Sequence, residues 1–270
     1  MDLGLKGRAC AVTGASRGIG RETARLLCAE GASVLLIARS ADQLDEAAEE
    51  CGRAAAAEQG NAAALALDVT DPDAGERIVA EATERFGKLD VLVNNAGTSK
   101  WRDLDEVPDE DWQAAWELNV IAPLRAMRAA VPGMVERGWG RIVNVSSTAG
   151  KRPSANMAEY SVAKAAELSL SRLYADRYAG DGVLVNAICP GPVKSEMWMA
   201  QGGLLDQSQE LGGHDSREAA LDATGAKRPI GRLAEVGEVA GAIAFLCSER
   251  ASYVAGAAWS VDGGTVQVII

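Results

Sequence analysis

A glycine-rich turn set directly behind the chain's first apolar run does most to limit its possible folds. Ala9–Thr13 reads as a short strand, and Thr13-Gly14-Ala15-Ser16-Arg17-Gly18-Ile19-Gly20 follows at once, opening a helical pattern from Gly18 to Glu30. Gly14 permits a tight turn, Gly18 lets backbone approach a pyrophosphate, and Gly20 lets the helix pack closely on a sheet. The helix start offers free N–H groups and the positive end of its dipole to phosphate. A glycine-rich loop by itself reads equally as a plain turn. Its place behind an N-terminal strand, with strand–helix repetition continuing, is what points to dinucleotide binding.

That repetition runs the length of the chain. Strands are expected at Ala9–Thr13, Ser33–Ala38, Ala63–Asp68, Val91–Asn94, Arg141–Ser146, Val183–Ile188 and Trp259–Val261. Helical patterns lie between them at Gly18–Glu30, Ala41–Gln59, Asp73–Phe86, Asp109–Arg137, Ser154–Ala179 and Glu235–Ser248. Continuous apolar strands alternating with helices predict an α/β fold: a single doubly wound Rossmann-type domain over residues 1–270, its seven-stranded parallel sheet covered by helices on both faces. Right-handed crossovers put the ligand cleft at the strands' carboxyl ends, where every motif discussed here falls. Pro123 is expected to kink the helix that starts at Asp109. The Gly191–Pro229 stretch is too long for a simple connection and reads as a lid or binding insertion.

Composition narrows the partners. A hydrophobic fraction of 48% supplies a core, and a net charge of -11 argues against nucleic acid or anionic membrane. No run of about 18 apolar residues occurs, so no membrane span is expected. The opening Met1–Gly7 lacks a basic region followed by an apolar block, so no secretory leader is expected and the location is read as cytoplasmic. Cys10, Cys28, Cys51, Cys189 and Cys247 are odd in number and form no C-x-x-C pair, reading as small hydrophobes in a reducing compartment. His214 is the one histidine, which leaves neither the common zinc sets nor a Ser-His triad; no metal site is expected.

An NAD site usually ends its second strand on an acid that holds the adenosine ribose. Here Val34-Leu35-Leu36-Ile37 runs into Ala38-Arg39-Ser40, and Arg17 lies in the glycine turn. Two guanidiniums suit a 2′-phosphate, so NADP(H) is expected in preference to NAD(H), which stays possible. The plainer alternative makes both arginines solvated surface residues. Asp68, with Val69 at the end of the third strand, reads either as an adenine contact or as a turn or cap residue.

Tyr160 and Lys164, four apart, share one face of a helix. An ammonium there is expected to lower the phenol from its ordinary pKa of about 10, making it a proton donor or acceptor near neutrality. Ser147 lies thirteen residues upstream of Tyr160, and Asn94-Asn95-Ala96-Gly97 follows the fourth strand. With the glycine turn and Pro190-Gly191, this ordered set resembles the short-chain dehydrogenase/reductase family over essentially the whole chain. Arg228-Pro229-Ile230-Gly231-Arg232 and Val261-Asp262-Gly263-Gly264 strengthen the resemblance.

The resemblance implies roles. Tyr160 is the general acid in reduction and the base in oxidation. Lys164 lowers its pKa and holds the nicotinamide ribose. Ser147 hydrogen-bonds the reacting oxygen, and Asn119 holds a water that links the lysine to solvent. The implied cofactor contacts are Gly14, Ser16, Arg17, Gly18, Ile19, Gly20, Arg39, Asp68, Val69, Asn95, Ala96, Gly97, Tyr160, Lys164, Pro190, Gly191, Val193 and Ser195, the last standing where threonine is common. Taken singly, Tyr160 and Lys164 read as a helix-surface pair, Ser147 as a strand-end cap and Asn119 as an interhelical polar residue; the joint spacing favours catalysis.

The expected substrate is a small ketone or aldehyde, or the matching alcohol. A 3-oxoacyl thioester is the alternative, and a non-catalytic NADP(H) sensor a third reading. Asp181 stands where reductases of carrier-bound substrates place a basic residue, and the net charge of -11 slows encounter with an acidic carrier. Trp101, Met197, Trp198, Met199, Leu204 and Leu205 suit an apolar pocket, a subunit interface or a local core. The resemblance further implies a homotetramer that pairs through the helices containing Asn119 and Tyr160 and through the C-terminal region, with the apolar tail Val266–Ile270.

Overall fold

The computed structural model describes residues 2–55 and 60–267. Its strands are β1 (Ala9–Thr13), β2 (Ser33–Ala38), β3 (Asn61–Ala66), β4 (Val91–Asn94), β5 (Gly140–Val145), β6 (Val183–Pro190) and β7 (Ala258–Val261). They form one sheet in the order β3-β2-β1-β4-β5-β6-β7, every neighbouring pair parallel. The doubly wound fold class expected from sequence is the one observed. The second helix is described through Ala55; the rest of its expected span, like the last three residues of the apolar tail, lies outside the described residues.

Alternation along the strands divides the core into two layers. Cys10 and Val12 of β1 and Val34 and Leu36 of β2 face one way, into a cluster with Leu27 and Cys28 of α1 (Gly18–Ala29), Leu44 of α2 (Ala41–Ala55) and Ile243 of α10 (Val236–Leu246). Ala11, Leu35 and Ile37 face the other way. They meet Ile78 of α3 (Ala74–Phe86), Met127 and Met134 of α5 (Ala122–Glu136) and Ala175 of α6 (Ala158–Tyr178). Both faces being buried, these strands are apolar throughout. From β1 the chain winds outward to β2 and β3 on one side and, after returning, from β4 to β7 on the other. That switch point opens a crevice at the strands' carboxyl ends.

Two expectations need correction. The third strand begins at Asn61 and not Ala63, because β2, its one partner among the described residues, pairs Ser33 with Asn61. The helix expected over Asp109–Arg137 is two helices, α4 (Asp109–Trp116) and α5, joined by a wide π turn over Glu117–Ile121. Pro123 has no N–H to donate, and its ring would clash with the carbonyl of Asn119 in a tight α turn. The chain widens instead, the Ala122 N–H bonding to the Glu117 carbonyl five residues back, and Pro123 sits in the first turn of α5.

The 191–229 stretch carries α7 (Glu196–Met199), α8 (Leu204–Gly212) and α9 (Arg217–Ala226). These bring Trp198, Leu204, Leu205, Ala220 and Leu233 into a third, separate apolar cluster. Among the described residues, no helix is long and apolar enough to cross a membrane.

Candidate active site

The glycine turn leaves β1 at the switch point with Gly14 at φ 65° and Gly18 at φ 57°, in the region side chains disfavour. A Cβ on Gly20 would stand 2.4 Å from the Gly14 carbonyl oxygen and 2.5 Å from Asn95 Nδ2. The turn is latched to the end of β4. The Thr13 hydroxyl accepts the N–H groups of Asn95 at 2.9 Å and Ala96 at 3.0 Å, while the Asn95 side-chain amide donates to the Thr13 carbonyl at 2.9 Å. Thr13 thus performs a positioning task that sequence reasoning missed; its place as last residue of the first strand was the available signal.

Other expected cofactor contacts gather on the same edge. Ser195 and the Glu196 carboxylate lie over Gly18, 3.4 and 3.1 Å from where a Cβ would stand. Pro190 ends β6, and Gly191 packs so tightly on Asp262 that a Cβ would come 3.0 Å from its Cα. Val193 forms an isolated bridge with Ala234, which anchors the start of the 191–229 stretch. Val69, Ala96, Thr13 and Asn94 line a narrow crevice beside the turn. Ser16 is buried within the turn and Ile19 is half-buried in the first turn of α1.

Arg17 and Arg39 stand exposed at the outer end of this groove. Arg39 comes no nearer than 3.9 Å to Asp68, and its side chain is 81% exposed. Asp68 accepts the Thr70 N–H at 3.0 Å and its hydroxyl at 2.7 Å. Those bonds, with help from Arg39, hold its carboxyl below the usual range. Asp68 thus holds the turn through Thr70 by one of its carboxylate oxygens. With no acid at the end of β2, two exposed guanidiniums and a turn whose glycines leave backbone bare, the groove suits a dinucleotide with an extra phosphate.

Across the cleft, Ser147 follows β5, its hydroxyl accepting the Ala149 N–H at 3.1 Å and lying near enough to Tyr160 to favour its phenolate. Lys164 Nζ lies 5.8 Å from the Tyr160 ring centre. The lysine is 2% exposed and donates to the Val145 carbonyl at 2.7 Å and to Glu167 Oε2 at 2.9 Å. Glu167 is itself 1% exposed. It was missed in the sequence, although its place three residues beyond Lys164 on the same helical face was legible.

The expected lowering of the Tyr160 pKa is not observed. Burial pushes the phenol up, and Lys164 and the Ser147 hydroxyl pull it back only in part, leaving it above its ordinary value. Burial pulls Lys164 down, but Glu167 and Tyr160 more than offset this and hold it above the usual lysine value. Glu167 is pushed up by burial, Lys164 opposing.

Asn119 sits fully buried in the π turn, its Nδ2 donating to the Ala115 carbonyl at 2.9 Å and its Oδ1 without a partner among the described residues. That oxygen and Lys164 Nζ both face Gly97, 3.5 and 3.9 Å from where its Cβ would be. Asn119 and Lys164 thus converge on Gly97, with Tyr160 and Ser147 beside the lysine, the grouping that the family resemblance implied.

Over the cleft, Trp101 meets Trp198 edge to face with ring centres 6.1 Å apart, and the Trp101 main-chain N–H donates to Gln207 Oε1 at 2.8 Å. These residues pack together in the third apolar cluster, Trp101, Met197 and Met199 at its partly buried edge. His214 lies beside Gly212 past the end of α8, its main-chain N–H donating to the Gln209 carbonyl at 3.0 Å. All five cysteines are free and buried.

A family model described as enoyl-(acyl carrier protein) reductase matches residues 14–266. Galactitol 2-dehydrogenase (L-tagatose-forming) from Cereibacter sphaeroides is 41% identical over 96% of this chain and 95% of its own length. The 3-oxoacyl-(acyl-carrier-protein) reductase of Vibrio cholerae is 34% identical over 98% of this chain and all of its own. L-Sorbose reductase from Gluconobacter frateurii, solved with NADPH and L-sorbose, superposes with a TM-score of 0.91 at 35% identity, each chain covered in full. The chain belongs to the short-chain dehydrogenase/reductase family of oxidoreductases.

Proposed function

We propose that this chain interconverts a small free ketone and its secondary alcohol with NADP(H), Tyr160 moving the proton. One observation carries the reading: the buried Lys164 ammonium lies 5.8 Å from the Tyr160 ring centre and faces Gly97, just past the strand end to which the glycine turn is latched, with Ser147 close enough to favour the phenolate. The nicotinamide supplies hydride in reduction and accepts it in oxidation. Ser147 and Tyr160 hold the reacting oxygen between them, which fixes its distance from the proton to be transferred. Tyr160 gives that proton to the oxygen in reduction and takes it back in oxidation. Lys164 stabilises the phenolate left behind, and the unpaired Asn119 Oδ1 beside it supports a relay toward solvent.

Arg17 and Arg39 support the preference for NADP(H), as does the NADPH named with the L-sorbose reductase structure. The relatives named for galactitol and L-sorbose support a free polyol or keto-sugar type of substrate. A carrier-bound 3-oxoacyl thioester is the second reading, favoured by the likeness to the Vibrio cholerae reductase. Asp181 before β6 and the net charge of -11 weigh against it. We read the chain as one domain with 191–229 as a lid, working as a homotetramer in the cytoplasm; five free buried cysteines support a reducing compartment.

The test is NADPH oxidation with free ketones, coenzyme A thioesters and carrier-protein thioesters, in wild type and Tyr160→Phe. The variant is expected to bind cofactor normally and to lose about a thousandfold in turnover. Near-normal turnover would refute the role of Tyr160, and a clear preference for the carrier-bound substrate would reverse the ranking.

A further inference from the structure

Lys164 and Glu167 form an ion pair of 2.9 Å inside one turn of α6, their side chains 2% and 1% exposed. The reaction as proposed makes no use of this carboxylate. Burying two charges carries a desolvation cost that attraction offsets only in good geometry with further hydrogen bonds, and an apolar side chain at 167 would avoid it. Those further bonds are present. Lys164 also donates to the Val145 carbonyl at 2.7 Å, and the Ser146 hydroxyl lies against Glu167 while donating to the Lys164 carbonyl at 3.0 Å.

We propose that Glu167 is a positioning residue of the proton-transfer site, a buried counter-charge that fixes Lys164 as an ammonium and cancels part of its pull on Tyr160, so that the tyrosine waits as a protonated donor. The proposal rests on the reading of Tyr160 as the group that moves the proton. With Glu167 in place, ionising the half-buried Tyr160 leaves a net negative charge beside the fully buried Lys164–Glu167 pair. With a neutral residue there, the same ionisation leaves ammonium and phenolate balanced. Burial penalises the unbalanced state, so Glu167 holds the proton on the phenol.

The other groups facing this trio do not substitute for it. The Ser147 hydroxyl pulls the tyrosine down, and the Asn119 amide is neutral. Cys189, on β6, is pushed up to about 11 by burial and stays a neutral thiol; Lys151 and Asp262 act on that thiol with opposite signs.

Glu167→Gln tests the proposal through the pH dependence of kcat/KM for alcohol oxidation. Oxidation needs the phenolate, whose population rises with pH, so a lower proton affinity moves the rising limb to lower pH, by about one unit here. An unmoved limb in a folded, active variant would overturn the proposal. A second measurement covers a variant that fails to fold: near-ultraviolet titration of tyrosinate in wild type without added cofactor, with Tyr160→Phe as the blank. Tyr160 should ionise above about pH 10, and ionisation well below that value would overturn the proposal equally. The titration needs no turnover. Failure of the underlying reading shows separately, as a Tyr160→Phe variant that keeps its activity.

Discussion

The Asn95 side-chain amide donates to the main-chain carbonyls of Thr13 at 2.9 Å and Gly14 at 3.3 Å, tying the exit of β4 to the glycine turn of β1 across the switch point. A Cβ on Gly20 would stand 2.5 Å from the same nitrogen and 2.4 Å from the Gly14 carbonyl oxygen, so neither atom can move without loosening the turn. Gly20→Ala is expected to cost about 1–3 kcal/mol of stability and to weaken NADPH binding at least about tenfold. Denaturant unfolding and fluorescence titration measure the two effects. A variant as stable and as tight as wild type would contradict the close packing.

Arg39 is 81% exposed and at 3.9 Å from Asp68 is only loosely paired, so its guanidinium is free to turn onto a phosphate. Arg39→Asp replaces that attraction with repulsion toward a 2′-phosphate and offers a carboxylate to ribose hydroxyls. The ratio of kcat/KM with NADPH to that with NADH should fall about ten- to a hundredfold. A ratio unchanged from wild type would show that the arginine plays no part in cofactor choice.

Burial leaves Tyr160 above the ordinary tyrosine value, and the sign of its effect on rate follows. On the proposed role of Tyr160, ketone reduction needs the protonated phenol, which is fully present at neutral pH and lost only as pH rises through the tyrosine's own value. Alcohol oxidation needs the phenolate and grows over the same range. Oxidation should therefore still be rising at a pH of about 9, while reduction is flat from about pH 6 to 8. A plateau in oxidation already reached at neutral pH would mean that the ammonium wins over burial.

The contrast between Tyr160 and its surroundings marks where sequence reasoning stops. The sequence displays Lys164 four residues on, but not that both side chains lose water, and the lost hydration outweighs the neighbour's charge. Glu167 was passed over for the same reason: its place on the helical face of Lys164 was legible, but its burial was not, since a glutamate in a helix ordinarily faces solvent. The bounds of β1 and β4 were legible because continuous apolar runs end there on glycine or asparagine. Those of β3 slipped by two residues because an edge strand with one partner carries a weak pattern, here Asn61-Ala62-Ala63-Ala64-Leu65-Ala66. The π turn was misread as a kink because Pro123 announces a break but not its form, and it is that form that buries Asn119 next to Lys164.

Trp101 connects the body of the fold to the 191–229 stretch through its edge contact with Trp198 and its N–H bond to Gln207. The Trp101 indole packs against the third apolar cluster and not against either main core of the sheet, so removing it should disturb the 191–229 stretch more than the sheet. Trp101→Ala is expected to raise KM for the carbonyl substrate about tenfold, with NADPH affinity within about twofold of wild type. Steady-state kinetics and a cofactor titration on the same preparation check both halves. An unchanged KM would mean that this contact plays no part in holding substrate.

Leu173 and Val162 project from α6 with 64% and 49% of their surface exposed, and Trp116 of the adjoining α4 is 44% exposed. An apolar strip of this kind on two packed helices suits burial against a second copy. These are the helices through which the family resemblance implies pairing. Each leucine removed from water contributes about 1.5–3 kcal/mol, whereas an unpaired carboxylate in the same place costs more than that. Leu173→Glu is therefore expected to split the proposed tetramer while leaving the fold intact. Sedimentation velocity should give one tetrameric species for wild type and a smaller one for the variant, with matching circular dichroism. A wild-type monomer would contradict the assembly, and a tetrameric variant would move the interface elsewhere.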